Sequence, residues 1–197
     1  MTPPPKNPDE YPVLLFESQQ GWAAWLGENH QVTPGVWLRL AKKAAALQSL
    51  SYAEAVAVAL CYGWIDGQTK RHDEASWLQK FTPRGPKSIW SKVNREKVEQ
   101  LIENGQMQPA GLQAVERAKQ DGRWDAAYDS PKNITIPGDL QAALDSNPAA
   151  NAFFTTLNSQ NRYAILFRIQ TAKKAETRAR RIQQFMDMLA RQEKLHP

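Results

Sequence analysis

The chain has 197 residues, of which 42% are hydrophobic, and this length suits one compact domain or one domain with a smaller helical appendage. Its single cysteine excludes an intrachain disulfide and therefore a disulfide-stabilised secreted scaffold. No stretch approaches the about 20 apolar residues of a membrane-spanning helix, and the first residues lack a signal-peptide pattern, so we expect a cytoplasmic protein.

The formal net charge of +5 comes from one end of the chain. From Gln160 onward there are nine Lys and Arg against three Asp and Glu, whereas the preceding sequence is close to neutral. The overall basicity therefore does not by itself indicate nucleic acid as the partner, and the C-terminal charge needs a local explanation.

The first elements follow a Pro-rich polar segment at residues 1–12, which predicts a disordered arm. Trp22, Trp25 and Leu26 have helical spacing and predict an amphipathic helix over 18–28. After the break at Pro34-Gly35, alternating apolar residues predict a strand over 36–40.

The stretch from 51 to 102 organises the rest of the chain. Ser51 and Glu54 form a capping box that opens an Ala-rich helix, and Gly63 is placed to end that helix in the left-handed conformation. Runs at 64–70 and 77–82, separated by the polar residues HDEA, predict a β-hairpin. The corner PRGP at 83–86 then ends the second strand.

Helices follow the corner. A helix is predicted from Ser91 to about Asn104, with Val93, Val98, Leu101 and Ile102 on one apolar face. Further helices are predicted at 109–121, at 138–145, after Asn147, at 162–170 and at 174–191. The inward residues of the last helix are predicted to be Ala175, Ala179, Ile182, Met186 and Leu189.

These elements predict an α+β fold, in which a small antiparallel sheet packs with helices and an all-helical C-terminal segment follows. The sequence SPKNITIP at 130–137 is typical of an extended linker. The predicted organisation is therefore a core domain at 13–129, the linker at 130–137 and a helical domain at 138–197.

The sequence shows none of the common catalytic or metal-binding patterns. His30, His72 and His196 are scattered, so no metal site is expected. Cys61 lies on the Ala-rich helix, where a small core residue is more common than a nucleophile. Because nucleotide-binding glycine motifs are also absent, we expect no cofactor and consider an enzyme less probable than a binding protein.

A candidate ligand pocket can still be assembled around Asp66. A carboxylate among aromatic residues, with Arg84 or Arg95 nearby, would suit acid–base chemistry, although a structural salt bridge or turn cap is the favoured interpretation. Polar groups on an aromatic lining are the usual composition of ligand sites. The candidate pocket residues are Trp64, Asp66, Gln68, Trp77, Arg84, Trp90 and Arg95.

Two basic segments are candidate interaction surfaces. Six Lys and Arg between Lys80 and Lys97 are interleaved with aromatic residues, a combination that can bind nucleic acid but is more often a solvated surface over a core. Lys174, Arg178 and Arg181 form a basic stripe on the last helix. This stripe could bind phosphate or an acidic partner, or form a solvated face in which Arg178 and Arg181 pair with Glu176 and Asp187.

Several strings resemble one bacterial family in order along the chain: YAEAVAVALCYGWIDGQ, WLQKFTPRGPKSIWSKVNREKVEQLI, GRWDAAY and NRYAILFRIQTAKKAETRARRI. They resemble the YdeI/OmpD-associated proteins, also described as bacteriocin-protection proteins. The segment from about Ile136 to Lys194 resembles the helical OmdA domain of this family. The resemblance implies a role in stress or in resistance to cationic antimicrobial peptides, with a link to an outer-membrane porin, but no catalytic residues.

Three hypotheses follow in order. The first is a non-enzymatic stress or resistance protein that binds an unknown protein or small-molecule partner. The second is a nucleic-acid-binding module, and the third is an enzyme or small-molecule binder with a pocket around Asp66, Arg84 and Trp90.

Overall fold

A computed structural model describes residues 11–43 and 45–197 of the chain. The predicted disordered arm lies almost wholly outside the described residues. The described chain forms two compact units. The first comprises the residues up to 89 together with 94–125, and the second comprises 90–93 together with 126–197. The predicted linker at 130–137 stays a prediction.

The first unit contains a four-stranded sheet and helices. Its elements in chain order are β1 (Val13–Leu14), α1 (Gln19–Asn29), β2 (Val36–Ala41), α2 (Tyr52–Cys61), β3 (Trp64–Arg71), β4 (Ser76–Pro83), α3 (Lys92–Glu103), whose first two residues belong to the second unit, and α4 (Pro109–Gln120). The strand order is β1-β2-β4-β3. The pair β1–β2 is parallel and the other pairs are antiparallel. The α+β fold class is confirmed, and the sheet has, in addition, a parallel edge strand that was not predicted.

The predicted hairpin is present as β3 and β4. Arg71 pairs with Trp77 next to the turn, and Trp64 pairs with Pro83 at the open end. The register shifts between Asp66 and Thr69, as at a β-bulge. Trp64 therefore lies at one end of the sheet, next to the residues that follow β4.

Helix α2 begins and ends where its sequence indicates. Ser51 Oγ accepts a hydrogen bond from the Glu54 amide at 3.3 Å, and the Ser51 amide donates to the Glu54 carboxylate at 2.7 Å. Gly63 follows the helix with a φ of 71°, a backbone conformation that residues with a side chain rarely adopt. The capping box and the left-handed glycine are both confirmed.

Large aromatic side chains fill the core of the first unit. The Trp22 ring lies edge-on to Trp64 at 6.1 Å and to Phe81 at 5.8 Å. All three side chains are almost fully buried. The indole nitrogen of Trp22 donates to the Ala55 carbonyl at 3.1 Å, which satisfies a polar group that would otherwise be costly to bury. This core holds α1, α2 and the sheet together.

The apolar face predicted for α3 is too wide. Val98 and Leu101 are buried, whereas Val93 is 43% and Ile102 is 38% exposed. At about 100° per residue, Val93 and Ile102 lie on opposite margins of the stripe centred on the two buried residues. Apolar character at these margins did not ensure burial.

The second unit is helical, with α5 (Gly138–Asp145), α6 (Pro148–Thr156), α7 (Ser159–Gln170) and α8 (Ala175–Ala190). Asn147 and Asn158 cap α6 and α7 through side-chain oxygens that accept from the amides of Ala150 and Asn161. Residues 90–93 lie alongside 126–129, since the Tyr128 amide donates to the Trp90 carbonyl at 2.9 Å. In the described chain, no helix has the length and apolar character to cross a membrane.

The inward face predicted for α8 is wrong in its first half. Met186 and Leu189 are buried as predicted and Ile182 is partly buried, but Ala175 and Ala179 are exposed. Phe185 joins the core instead. Polar contacts of Arg178, described below, hold the first turns of α8, so apolar packing begins only farther along the helix.

Candidate functional site

The structure distributes the predicted pocket residues over separate neighbourhoods. Trp64 and Arg84 line one cleft of the first unit. Asp66 and Trp77 lie together around Tyr52. Gln68 is exposed at the bulge of β3, Arg95 lies on α3, and Trp90 is buried in the second unit.

The cleft has a volume of about 530 Å³ and is formed by five segments of the first unit. These are the end of α1, the turn after α2, the start of β3, the end of β4 and one face of α4. The lining residues are His30, Gln31, Tyr62, Gly63, Trp64, Pro83, Arg84, Ala110, Gln113 and Arg117. Ala110, Gln113 and Arg117 recur at helical spacing, so α4 presents a single face to the cleft.

Close backbone contacts fix the walls of the cleft. The Arg84 amide donates to the Gly63 carbonyl at 2.9 Å, and the Gln108 amide donates to the Cys61 carbonyl at 3.0 Å. A Cβ atom on Gly63 would lie 2.9 Å from the Ala110 carbonyl oxygen, and one on Gly111 would lie 2.2 Å from the Cys61 oxygen. Two glycines thus allow α4 to approach the end of α2 closely enough to form the cleft.

Three side chains that line the cleft make hydrogen bonds to backbone carbonyls. Arg84 is 8% exposed, and its Nη1 donates to the Ile89 carbonyl at 3.0 Å. The Trp64 indole nitrogen donates to the His30 carbonyl at 3.2 Å. His30 Nδ1 lies 2.8 Å from the Leu26 carbonyl, so Nδ1 carries a proton in this contact and Nε2 is the ring nitrogen left for other partners. The His30 and Tyr62 rings lie 5.4 Å apart, and burial raises the pKa of Tyr62.

Asp66 belongs to a different group of side chains. Its carboxylate accepts a hydrogen bond from the Tyr52 hydroxyl at 2.7 Å, and the Tyr52 ring lies 5.9 Å from that of Trp77. Tyr52 is 43% exposed. This is a surface aromatic–carboxylate group on α2, β3 and β4. Trp77 on β4 is only partly buried.

Two other candidate residues also have contacts within their own units. Arg95 lies 3.8 Å from Glu99 and 3.4 Å from the Trp124 carbonyl. Cys61 is buried in α2, and burial raises the pKa of its thiol, as expected for a core residue. In residues 11–43 and 45–197, no three His, Cys, Asp or Glu side chains converge as metal ligands would.

The basic–aromatic stretch from Lys80 to Lys97 is largely engaged in intramolecular contacts. Lys80 lies 4.1 Å above the Tyr11 ring, and Lys92 pairs with Asp129 at 2.8 Å. Arg84 and Arg95 have the contacts described above. Four of the six basic side chains therefore contact other groups of the protein. This arrangement does not favour the nucleic-acid hypothesis, which stays untested.

Two members of the predicted basic stripe bind the end of α7. Arg178 forms a two-pronged ion pair with Asp139 at 2.6 and 2.8 Å and donates to the Ile169 carbonyl at 2.9 Å. Arg181 donates to the Arg168 carbonyl. The last carbonyls of a helix lack intrahelical partners, and cations are favourable there. Arg178 thus pairs with Asp139 rather than with the neighbouring acids that the sequence suggested.

The α7–α8 corner, defined here as Arg168, Lys173 and Lys174, presents basic side chains to solvent. All three are exposed. Lys174 lies at the N-cap position of α8. Lys174 is thus the fully exposed member of the predicted stripe, whereas Arg178 and Arg181 are partly buried.

Sequence reasoning missed several of the cleft residues. His30, Tyr62, Gln113 and Arg117 come from three segments that the candidate pocket did not include. The spacing of Gln113 and Arg117 on α4 was a local signal for one polar face, but it gave no information on what that face meets.

The comparisons with known proteins match two family models. Residues 14–114 match the family described as Domain of unknown function (DUF8412). Residues 133–192 match the family described as Bacteriocin-protection, YdeI or OmpD-Associated, called OmdA, which confirms the predicted resemblance for that part of the chain. No curated protein and no solved structure matches the chain. The chain therefore belongs to the DUF8412 family, whose model covers more than half of it, and carries an OmdA domain in its second unit.

Proposed function

We propose that this protein acts in protection against bacteriocins, by binding a protein partner with an acidic surface through the α7–α8 corner. The OmdA match is the observation that carries the proposal. Its residues, 133–192, include the whole corner, and the family's description names both bacteriocin protection and association with another protein.

The charge distribution supports an acidic partner. The second unit contains eleven Lys and Arg against six Asp and Glu, whereas the first unit has equal numbers of basic and acidic residues. Opposite charge accelerates association and orients two proteins as they meet. A cationic peptide would be repelled by the same surface, so direct capture of such a peptide by the second unit is disfavoured.

Two of the three cations of the corner can be removed without disturbing the fold. Lys173 and Lys174 are exposed and contribute no residue to the core of the second unit. Surface substitutions of this kind usually change the free energy of unfolding by less than about 0.5 kcal/mol. Arg178 and Arg181 are unsuitable for such substitutions because their side chains hold α8 against neighbouring segments.

The test is a survival assay on a bacterial strain that lacks the protein and is challenged with a graded dose of a cationic bacteriocin. We expect the full chain to restore survival and the double variant Lys173→Gln/Lys174→Gln to lose most of that effect. The matched control, Lys43→Gln/Lys87→Gln, removes two exposed lysines from the first unit and should protect like the wild type.

Each other result rejects one part of the proposal. No protection by the wild-type chain would reject the function. Equal protection by the corner variant and the wild type would reject the corner as the binding surface. Salt-sensitive binding to an oligonucleotide that the corner variant loses would replace the protein partner with nucleic acid.

A further inference from the structure

The cleft of the first unit has a one-sided charge. Arg84 and Arg117 line it from different elements, with His30 as a third basic side chain. Among the described residues that form its walls, none is acidic. Two glutamines, Gln31 and Gln113, add neutral hydrogen-bonding groups. Such a lining attracts negative charge.

Arg84 contributes a guanidinium that is largely removed from water. It is 8% exposed, and the Ile89 carbonyl that accepts from its Nη1 is neutral. A guanidinium has five N–H donors in a planar fork, which suits the oxygens of a carboxylate or phosphate. Hydrogen bonds from a guanidinium to an oxyanion are charge-assisted and stronger than those between neutral groups, so an oxyanion is the ligand group that suits Arg84.

Arg117 provides an accessible cation on the α4 face of the cleft. It is exposed and lies two helical turns from Ala110, a distance of about 10 Å along α4. Ala110 is the residue next to Gly63, whose carbonyl accepts from the Arg84 amide. The two arginines therefore extend from backbone positions at different points of the cleft.

The size of the cleft indicates more than a bare inorganic ion. About 530 Å³ lies within the range of sites that hold small organic ligands. The rings of His30 and Tyr62, 5.4 Å apart, provide a partly apolar wall against which the uncharged part of a ligand could pack.

We propose that this cleft binds a small organic anion whose carboxylate or phosphate group contacts Arg84 and Arg117. The site lies outside the OmdA match, and the inference does not depend on the protective role of the second unit. It goes beyond the DUF8412 assignment, which names no ligand.

The experiment measures the binding of glucose 6-phosphate, citrate and inorganic phosphate to the full chain, by calorimetry and by thermal shift. Glucose is the uncharged control, and sodium chloride keeps the ionic strength equal in all samples. A ligand at ten times its Kd favours the folded state by about elevenfold. Citrate and glucose 6-phosphate distinguish carboxylate from phosphate recognition, and inorganic phosphate tests the need for an organic part.

The main variant is Arg117→Gln, whose exposed position should leave folding intact. We expect it to weaken binding of the preferred anion by about tenfold or more, as is typical when a hydrogen bond to a charged group is lost. The matched control is Lys119→Gln, which removes the same charge from the same helix at a position that does not line the cleft. Arg84→Gln should abolish binding, and circular dichroism would check its folding.

The outcomes separate clearly. Binding of one organic anion, weakened by Arg117→Gln and retained by Lys119→Gln, supports the site. Failure of all three anions to bind would overturn the proposal. Equal losses in the two variants would also overturn it, because they would indicate a general response to surface charge. A protein that fails the protection assay but binds an anion in this way would retain the site and lose only the proposed function.

Discussion

Two glycine substitutions should have opposite effects on stability, because Gly111 lies in the close contact between α2 and α4, whereas Gly27 on α1 does not. In Gly111→Ala, the new Cβ would lie 2.2 Å from the Cys61 carbonyl oxygen and 2.8 Å from its carbon. Both are backbone atoms, so the helices must separate. In Gly27→Ala, the Cβ would meet only the Tyr62 hydroxyl, at an ordinary distance of 3.7 Å.

The expected magnitudes follow from these contacts. Replacing a glycine in a helix by alanine gains about 0.5–1 kcal/mol from helix propensity, and Gly27→Ala should show this gain. Overpacking commonly costs about 1–3 kcal/mol, and the Gly111 contact is with rigid backbone. We therefore expect Gly111→Ala to lower the free energy of unfolding by about 2 kcal/mol, despite its gain in propensity.

Urea unfolding followed by tryptophan fluorescence would measure both effects. Six of the seven tryptophans lie in the first unit, so the signal reports mainly on that unit. A Gly111→Ala variant as stable as the wild type would refute the close approach of α4 to α2. The cleft geometry that depends on this approach would then be wrong as well.

Three further predictions concern caps and ion pairs. Ser51→Ala should cost about 1 kcal/mol of unfolding free energy, measured by urea titration, because it removes the N-cap of α2. The Ser76 hydroxyl donates to Asp73 at 2.7 Å and holds the pKa of that carboxyl at about 2, so Ser76→Ala should raise the pKa toward its ordinary value, measured by NMR titration. Hydrogen bonding to Arg178 lowers the pKa of Asp139. The ion pair therefore stabilises the fold at pH values above the ordinary pKa of a carboxyl group, and this stabilisation is lost as the pH falls through the lowered pKa of Asp139. Arg178→Met should therefore lower the free energy of unfolding by about 1 kcal/mol at neutral pH, since the pair is partly exposed, and by less at acidic pH. Thermal unfolding at both pH values would measure the difference.

Local sequence signals predicted most of the elements. The capping box at Ser51 and the glycine at 63 marked the two ends of α2 through short-range rules, and Gly63 has a positive φ. The hairpin was predicted because its strands are separated by a short polar turn. Strand β1 was missed because two residues carry no periodicity, and their pairing with β2 depends on a distant segment.

The candidate site was harder to predict because it combines distant segments. His30 and Arg117 line one cleft although 87 positions separate them in the sequence. Sequence proximity grouped Asp66 with Arg84, but the fold places Asp66 beside Tyr52 of α2, which donates a hydrogen bond to it. Likewise, the acids nearest to Arg178 in sequence were not its partner, since tertiary packing brings Asp139 to it.

The most direct test of the cleft as a ligand site is the indole N–H resonance of Trp64 in ¹⁵N-labelled protein, recorded during titration with the anion that binds. Trp64 lines the cleft, and its indole nitrogen donates to the carbonyl of His30, another lining residue. We predict that this resonance shifts in a saturable manner with the calorimetric Kd, and that Arg117→Gln weakens the response. A Trp64 resonance that stays in place while the anion binds would put the ligand elsewhere and contradict the site.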